Sequence, residues 1–487
     1  MYIVVLLLSI WQSILFWNKQ PGISVILFVL PLVIFLIKFL EKSRKIKNKN
    51  AGLIAIPIIL LSATYFIFNN DFLNNVNSLA IPVLIVLMVI ELICDTFTLK
   101  KPLSNVLGFI FKAIGRFGLV GKKIIGKMKK DENIEDKNPK NIKRILKAIA
   151  ISLPLLLFVL ILLVTADSDF AKIFIKIIDY TFRAIEKFKI SNMVNRIIGI
   201  VFVFFYLAGF VENIILTKDI ERNNSKVKDK DSLTIKIILT ALNLMYVVFC
   251  VIQVKSLIKL CTMDRTNYSY SYYARQGFFQ LMVVSAINLV MILQSKSRCY
   301  KKESYIKIMD LGMVILTGVI LIFSFIRMYF YGQSFGFTLK RVLVFWAQIT
   351  EGILLIPTAM YVLDKKINLT KTYFIIIVTM YVILNFVNIN KLIAKVNVNM
   401  YLERKWFDSA DIYYLENLGT DAIPETIKVL DMEKTEDAAV ENTKMQCRDI
   451  LKETYENMKE EKTSWQEFNI SKLKAKKILE NVFYKID

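Results

Sequence analysis

The acidic residue best placed for chemistry is Glu351, which lies about ten residues into the apolar run RVLVFWAQITEGILLIPTAMYV (341–362). At a helical rise of about 1.5 Å per residue, its side chain would sit roughly 15 Å deep, near the centre of a bilayer. Ionisable groups at that depth are costly and are candidates for functional sites. Glu351 therefore predicts a proton or cation site, with a structural interhelical hydrogen bond as the alternative.

Other acidic residues lie near the ends of apolar segments. Glu91 and Asp95 are spaced i, i+4, so one face of a helix would carry both carboxylates. The two groups could ligate a cation, or they could pair with the basic residues that begin at Lys100. The same alternatives apply to Glu212 and Asp310.

Arginine and tyrosine residues are predicted to meet at the outer membrane interface. Arg327 and Arg341 lie at the facing ends of the ninth and tenth apolar segments with Tyr331 between them, and the run YSYSYYARQGFFQ (268–280) leads into the eighth. An arginine held at a membrane surface can bind carboxylate or phosphate through two parallel hydrogen bonds. The alternative is an aromatic belt whose arginines reach the headgroups.

Composition excludes several functions. The 487 residues include no histidine, which rules out Ser-His-Asp and Cys-His catalysis and His-bound metals within this chain. The five cysteines are scattered, so neither a disulfide framework nor a zinc site is indicated. The net charge of +23 comes from basic residues in short loops between apolar segments, which indicates membrane topology rather than nucleic-acid binding. No nucleotide fingerprint occurs, and no cofactor is predicted.

About eleven apolar segments are long enough to cross a ~30 Å hydrocarbon layer. The predicted spans are residues 2–17, 22–40, 51–68, 79–97, 147–166, 197–216, 233–254, 277–295, 308–328, 341–362 and 372–389. The predicted fold class is an all-α polytopic transmembrane helical bundle with a small helical C-terminal extramembrane domain.

The distribution of lysine and arginine predicts the orientation. The loops at 41–50, 98–146 and 217–232 are rich in basic residues, whereas the loop predicted at 69–78 (NNDFLNNVNS) and its counterpart at 329–340 are poor in them. The positive-inside rule then places the N-terminus in the cytoplasm and the tail outside the cell membrane. The predicted divisions are four N-terminal spans, a basic cytoplasmic loop, a main segment of seven spans and an extramembrane tail. They comprise residues 1–97, 98–146, 147–389 and 390–487.

Two amphipathic segments are predicted to lie on the membrane surface. Residues 107–128 (LGFIFKAIGRFGLVGKKIIGKM) mix apolar and basic side chains, which favours adhesion to an anionic inner leaflet or a specific partner site. Residues 167–196 repeat apolar positions at helical spacing, which favours an interfacial helix on the outer side. A membrane span there would reverse the side of everything that follows.

The tail contains helical patterns separated by turn signals. A helix is predicted over Phe407–Leu418 and is ended by Gly419. Thr420 or Asp421 would then cap a second helix at AIPETIKVL. An amphipathic segment, Ile470–Tyr484, completes the helical tail.

Three runs in the C-terminal half resemble the DUF4173 family, which is related to DUF4153 and consists of multi-pass bacterial membrane proteins of unknown function. They are YSYSYYARQGFFQLMVVSAINL (268–289), RMYFYGQSFGFTLKRVLVFW (327–346) and NINKLIAKVNVNMYLERKWFDSADIYYLENLGTDAIPETIKVL (388–430). In the N-terminal half only the hydropathy layout agrees, and Gly22 matches the family's glycine after the first short loop. The resemblance implies an inner-membrane architecture and no assigned catalytic residue.

The family's motifs match individual positions of this chain. The first is matched by Tyr273, Ala274, Arg275, Gly277 and Phe278, the second by Arg327, Tyr331, Gly336, Thr338 and Arg341, and the third by Asp421, Ala422 and Pro424. The resemblance therefore strengthens an outer-face binding patch as the candidate site. Its predicted members are Tyr273, Arg275, Gly277, Arg327, Tyr331, Gly336, Thr338 and Arg341.

Two functions remain open from the sequence. The first is a non-enzymatic envelope protein for sensing, regulation or assembly, whose partners would be an envelope protein or a small molecule besides the bilayer itself. The second is a cation- or proton-coupled transporter that uses Glu351, with Asn243 and Asn288 as polar groups on neighbouring spans. A lipid-linked transferase is disfavoured because the first outer loop, NKQP (18–21), has no acidic residue.

Overall fold

The computed structural model describes residues 1–93, 192–216, 232–262, 278–298, 304–363, 367–403, 411–432 and 438–483, and the isolated residues 109, 116, 120, 121 and 123. The regular elements within these residues are all helices. Numbered over the described chain, the membrane-domain helices are α1 (Tyr2–Phe16), α2 (Ile23–Lys42), α3 (Ala55–Ile67), α4 (Asp71–Ile93), α5 (Asn192–Leu216), α6 (Ser232–Thr262), α7 (Phe278–Arg298), α8 (Ser304–Phe335), α9 (Leu339–Val362) and α10 (Leu369–Phe386). The tail helices are α11 (Ile389–Leu402), α12 (Ile412–Asn417), α13 (Ile423–Thr426), α14 (Ala438–Glu460) and α15 (Ile470–Phe483).

Eight helices of the described chain are long and apolar enough to cross a membrane: α2, α3 with the short 3-10 turn before it, α4, α5, α6, α8, α9 and α10. Two shorter apolar helices, α1 and the Leu281–Ile292 part of α7, accompany them. Each predicted span corresponds to one of these ten helices, except residues 147–166, which lie outside the described residues. The predicted all-α, multi-pass membrane fold is confirmed.

The chain divides into two compact units. The first comprises residues 1–20, 27–52 and 83–220, and the second comprises residues 21–26, 53–82 and 221–487. The predicted division at 97, 146 and 389 was drawn from composition and stays a prediction.

In the first unit, α1 and α5 run antiparallel. The Tyr2 hydroxyl donates to Glu212 at 2.6 Å, and at the opposite end Arg196 Nε donates to Ser13 Oγ at 3.0 Å. Lys45 Nζ reaches the final carbonyls of α5, which have no partner within the helix, and so satisfies the negative end of its dipole.

In the second unit, α6 to α9 share a hydrophobic core that includes Leu239, Met313 and Ile320. A second core joins membrane helices to the tail, because Leu73 of α4 and Leu384 of α10 pack in one cluster with Val398, Leu451 and other tail residues. The tail is therefore folded onto the ends of its unit's membrane helices rather than built around a core of its own.

Two predicted outer loops are shorter than the sequence indicated. Residues 71–78 form the first two turns of α4, so the asparagine-rich segment is helical rather than a loop. In the same way α8 continues to Phe335, which leaves only residues 336–338 between α8 and α9. For α4 the cause is that amide side chains that would be costly on a membrane helix find partners on α10 and on the tail.

The tail follows its predicted pattern with changes in detail. The helix predicted over 407–418 is described only as Ile412–Asn417, and Gly419 ends it in the left-handed conformation at φ +73°. Neither Thr420 nor Asp421 caps the next helix, whose N-cap is Ala422. The amphipathic segment at the end is confirmed as Ile470–Phe483.

Candidate functional site

Glu351 lies midway along α9 and faces α7. Its carboxylate is in hydrogen-bonding contact with the Ser285 hydroxyl, which also lies 2.7 Å from the Met282 carbonyl. A hydroxyl has only one proton to donate. A protonated Glu351 satisfies both contacts at once, because the carboxyl then donates to Ser285 and Ser285 donates to Met282.

A polar layer continues from Ser285 across the neighbouring helices. One turn along α7, the Asn288 amide accepts from the Tyr246 hydroxyl at 2.7 Å and donates to Thr317 Oγ1 at 2.9 Å. Asn243, one turn from Tyr246 on α6, donates to the carbonyls of Leu239 and Met309. The structure therefore brings Asn288 close to the Glu351 contact, whereas Asn243 joins α6 to α8.

Gln348 extends this layer on α9, one turn before Glu351. Its side-chain nitrogen donates to Ser324 Oγ of α8 at 2.6 Å, and the side chain is only 3% exposed. Its amide oxygen has no donor among the described residues. Within the described residues, the layer thus holds two open acceptors besides the Glu351 carboxyl, the amide oxygens of Gln348 and Asn243.

The second family motif forms the turn between α8 and α9. Gly336 adopts φ +72°, a conformation that favours glycine, and Arg341 donates to the carbonyls of Phe335 and Gly336. The guanidinium also stacks on the Tyr331 ring at 4.2 Å from its centroid. Arg341 therefore stabilises the end of α8, and a ligand would have to compete with these contacts.

The other predicted members of the outer patch occupy different surroundings. Arg327 is buried on α8, and Thr338 is the N-cap of α9, where its backbone carbonyl accepts from Val342 at 3.0 Å. Tyr273, Arg275 and Gly277 lie outside the described residues. The binding patch as a whole stays a prediction.

The turn between α8 and α9 is held by the tail. The Asn397 amide of α11 forms two hydrogen bonds to the backbone of Phe337, at 2.7 and 2.8 Å. The Tyr414 hydroxyl accepts from the Leu339 backbone at 2.8 Å, and burial raises the pKa of this hydroxyl above its ordinary value. The Phe337 ring lies against Gly332, where a Cβ would be 2.8 Å from it.

The tail is also bonded to the turn between α3 and α4. The Asp421 carboxylate accepts from the Asn69 backbone N–H at 2.9 Å and from the Ser471 hydroxyl. Asn69 Nδ2 donates to Thr420 Oγ1 at 3.1 Å, and Asn469 donates to two carbonyls at the end of α3, those of Tyr65 and of the C-cap Phe68. We call these five polar residues, Asn69, Thr420, Asp421, Asn469 and Ser471, the tail clamp.

Two asparagines, one just before α4 and one on it, continue from the tail clamp along this helix. Asn70 donates to Asn390 of α11 at 2.9 Å, and Asn390 in turn donates to the Leu418 carbonyl. Two turns further along α4, the fully buried Asn77 donates to Asn385 at 2.7 Å and accepts from the Tyr381 hydroxyl at 2.5 Å. These pairs join α4 to α10 and the tail.

Of the acidic residues predicted at the inner membrane side, Glu212 belongs to the first unit and contacts α1. It is buried, forms a 2.6 Å salt bridge to Lys123, and accepts from Tyr2. Glu91 is buried on α4, Asp310 is buried on α8, and Asp95 lies outside the described residues. The cation-site prediction for Glu91 and Asp95 stays a prediction.

The residues of the tail clamp, apart from Asp421 in the third motif, were not identified as site residues from the sequence. The asparagines at the start of α4 were missed as well, although a signal was available: the spacing of Asn70, Asn74 and Asn77 places three amides on one face of a helix. The partners Asn390 and Asn385 of Asn70 and Asn77 lie more than 300 positions away in the chain, so this pairing was not evident.

Comparison with known proteins places this chain in a family. The family model described as "Domain of unknown function (DUF4153)" matches residues 55–429, which include α3 to α13, the turn between α8 and α9 and Asp421 of the tail clamp. No curated protein and no solved structure matches the chain. The resemblance to DUF4173 and DUF4153 seen in the sequence is therefore confirmed, and the chain belongs to the DUF4153 family.

Proposed function

We propose that this protein is a non-enzymatic envelope protein with a sensing, regulatory or assembly role, in which the tail and the membrane helices of the second unit respond as one element. The observation that carries the proposal is the position of the Asp421 carboxylate. It accepts hydrogen bonds both from Asn69, in the turn between α3 and α4, and from Ser471, on the last tail helix α15. A partner bound to the tail would thereby bias the membrane helices, which is what coupling between two sites requires.

The second family motif fits this role. Because Asn397 and Tyr414 hold the turn between α8 and α9, a displacement of the tail would move the start of α9, the helix that carries Glu351. We assign the motif a coupling role in which Arg341 keeps the turn rigid. The tail would face outward, because the adjoining residues 68–70 have no lysine or arginine.

The test is complementation of a strain that lacks the gene, scored on the growth defect that the deletion causes under envelope stress. The variants are Asp421→Ala and, as a matched control, Asp431→Ala, which removes an exposed tail aspartate. Asp421→Ala inserted at the normal level should fail to complement, whereas Asp431→Ala should restore growth. Equal complementation by both variants would contradict the proposal.

A second candidate function, a cation- or proton-coupled transporter, is favoured by the contact between Glu351 and Ser285 inside a polar layer. Here Glu351 would exchange a proton or cation, and the open acceptor of Gln348 would contribute a ligand. In proteoliposomes that contain a pH-sensitive dye, Glu351→Gln should abolish ion-driven flux, and Glu416→Gln on the exposed tail should not change it. Flux through Glu351→Gln at the normal rate would remove this candidate.

A further inference from the structure

A short turn of the tail, residues 464–469, lies between the ends of two membrane-spanning helices. The Phe468 carbonyl accepts from the backbone N–H of Ile23, the first residue of α2, at 3.2 Å. Asn469 donates to Tyr65 and Phe68 at the end of α3, at 2.9 and 2.8 Å. The turn is therefore fixed to one helix that begins there and another that ends there.

These contacts fix the depth of the turn. Helix α2 has 20 residues, and at about 1.5 Å per residue it is about as long as the ~30 Å hydrocarbon layer is thick. Its first residue must therefore lie near the membrane boundary. Gly22 allows the close approach, because a Cβ there would be 2.7 Å from the backbone carbonyl carbon of Glu467.

Large apolar side chains on and beside this turn are exposed. Trp465 is 56% exposed, Phe468 is 41% exposed and Leu473 is 45% exposed. Lys474 and Lys477, on the helix that follows, are also exposed. Tryptophan and phenylalanine beside lysine are the residues that membrane interfaces favour, because the rings suit the boundary layer and the ammonium groups attract anionic headgroups.

We propose that Trp465, Phe468 and Leu473 form a lipid anchor that inserts into the headgroup layer on the tail side of the membrane. The occupant of this surface is the bilayer itself, since the turn continues the interface at which α2 begins. Lys474 and Lys477 then face the headgroups of anionic lipids. The anchor stands apart from the choice between sensing and transport, because it depends only on where the turn lies.

The test uses the full-length protein in vesicles of phosphatidylcholine and phosphatidylglycerol whose acyl chains are either unmodified or brominated near the headgroup end. The fluorescence of Trp465 is obtained as the difference between the wild-type protein and Trp465→Phe, a change at an exposed site that leaves the other four tryptophans in place. Brominated lipid should lower this difference signal about twofold, as expected for a ring at the interface. Aqueous acrylamide should quench it weakly.

Two results would overturn the anchor. A Trp465 signal that brominated lipid leaves unchanged and acrylamide quenches freely would place the ring in water. A signal that neither agent quenches would mean that protein, such as a second copy of the chain, covers the turn.

Discussion

The carboxylate of Asp421 accepts a hydrogen bond from the backbone N–H of Asn69, at 2.9 Å, across 352 positions of the chain. Asn69 lies in the turn between two membrane helices, and Asp421 lies in the helical tail. The bond therefore fastens the extramembrane part of the second unit to its membrane part. The Ser471 hydroxyl bonds to the same carboxylate and brings the last tail helix into this junction.

Removal of the Asp421 carboxylate should destabilise the junction. Asp421 is only 4% exposed, and Asp421→Ala would remove the carboxylate that accepts from the Asn69 N–H and the Ser471 hydroxyl, at a cost of about 1–3 kcal/mol. The apparent unfolding temperature in detergent should fall, and hydrogen exchange at residues 68–70 and 471–475 should accelerate. Asp431→Ala should match the wild type. An equal effect of both variants would contradict the prediction that the Asp421 carboxylate stabilises the junction.

Asn77 should be important for helix packing in the membrane. Asn77→Ala would leave Tyr381 and Asn385 without their partner in a buried site, whereas Asn75→Ala changes an exposed residue of the same helix. We expect Asn77→Ala to lower the unfolding temperature and Asn75→Ala to leave it unchanged. Interhelical polar contacts of this kind contribute about 0.6–2 kcal/mol in membrane proteins. Identical melting curves for the two variants would contradict the prediction.

Gly22 should be intolerant of any side chain. A methyl group there would overlap the backbone of Glu467, so Gly22→Ala should push residues 464–469 away from the start of α2. Limited proteolysis in this turn should then become faster. Gly52→Ala is the control, because a Cβ at Gly52 meets no atom within 4 Å. Unchanged cleavage in Gly22→Ala would mean that the close approach does not exist.

The Cys447 thiol should be unreactive toward thiol reagents in the folded tail. It is fully buried, and burial raises the pKa of its thiol to about 12. Because the thiolate is the reactive form, a variant that keeps only Cys447 should resist maleimide at pH 8 until it is unfolded. A variant with a single cysteine at the exposed position Glu456 should label at once. Rapid labelling of native Cys447 would show that the tail core is open.

The raised pKa of the Cys447 thiol should also make the folded protein less stable at high pH. The folded state holds the proton more tightly than the unfolded chain, whose thiol has a pKa of about 8.5. The contribution to stability is therefore complete below pH ~8.5 and is lost as the pH rises toward 12. Unfolding temperature measured from pH 7 to pH 10 should fall less in Cys447→Ala than in the wild type above pH ~8.5.

Local signals in the sequence were sufficient for much of the fold. Continuous apolar runs predicted the membrane helices, and Gly419 marked a helix end because the left-handed backbone there favours glycine. The position of Glu351 midway along its helix also followed from counting residues.

Long-range pairing limited what could be predicted about the site. Asn70 and Asn77 were predicted to lie in a loop, because amides are costly on a membrane helix unless they have partners. Their partners, Asn390 and Asn385, are distant in the chain and could not be identified from the sequence. Arg341 suggested a ligand-binding group, yet its donors bond to carbonyls that the end of α8 leaves free. Its role depended on a turn that the sequence pattern placed in a longer loop.

Crosslinking of the tail clamp in native membranes tests most directly whether the tail is fastened to the membrane helices. Asn69 and Thr420, whose side chains lie 3.1 Å apart, would be changed to cysteine in a chain without its five native cysteines and treated with a short bifunctional methanethiosulfonate. We expect an intramolecular link between the two positions, identified by mass spectrometry of the joined peptides and absent from each single variant. Labelling of both cysteines with a monofunctional reagent, but no link between them, would contradict the claim that the tail is fastened to the membrane helices.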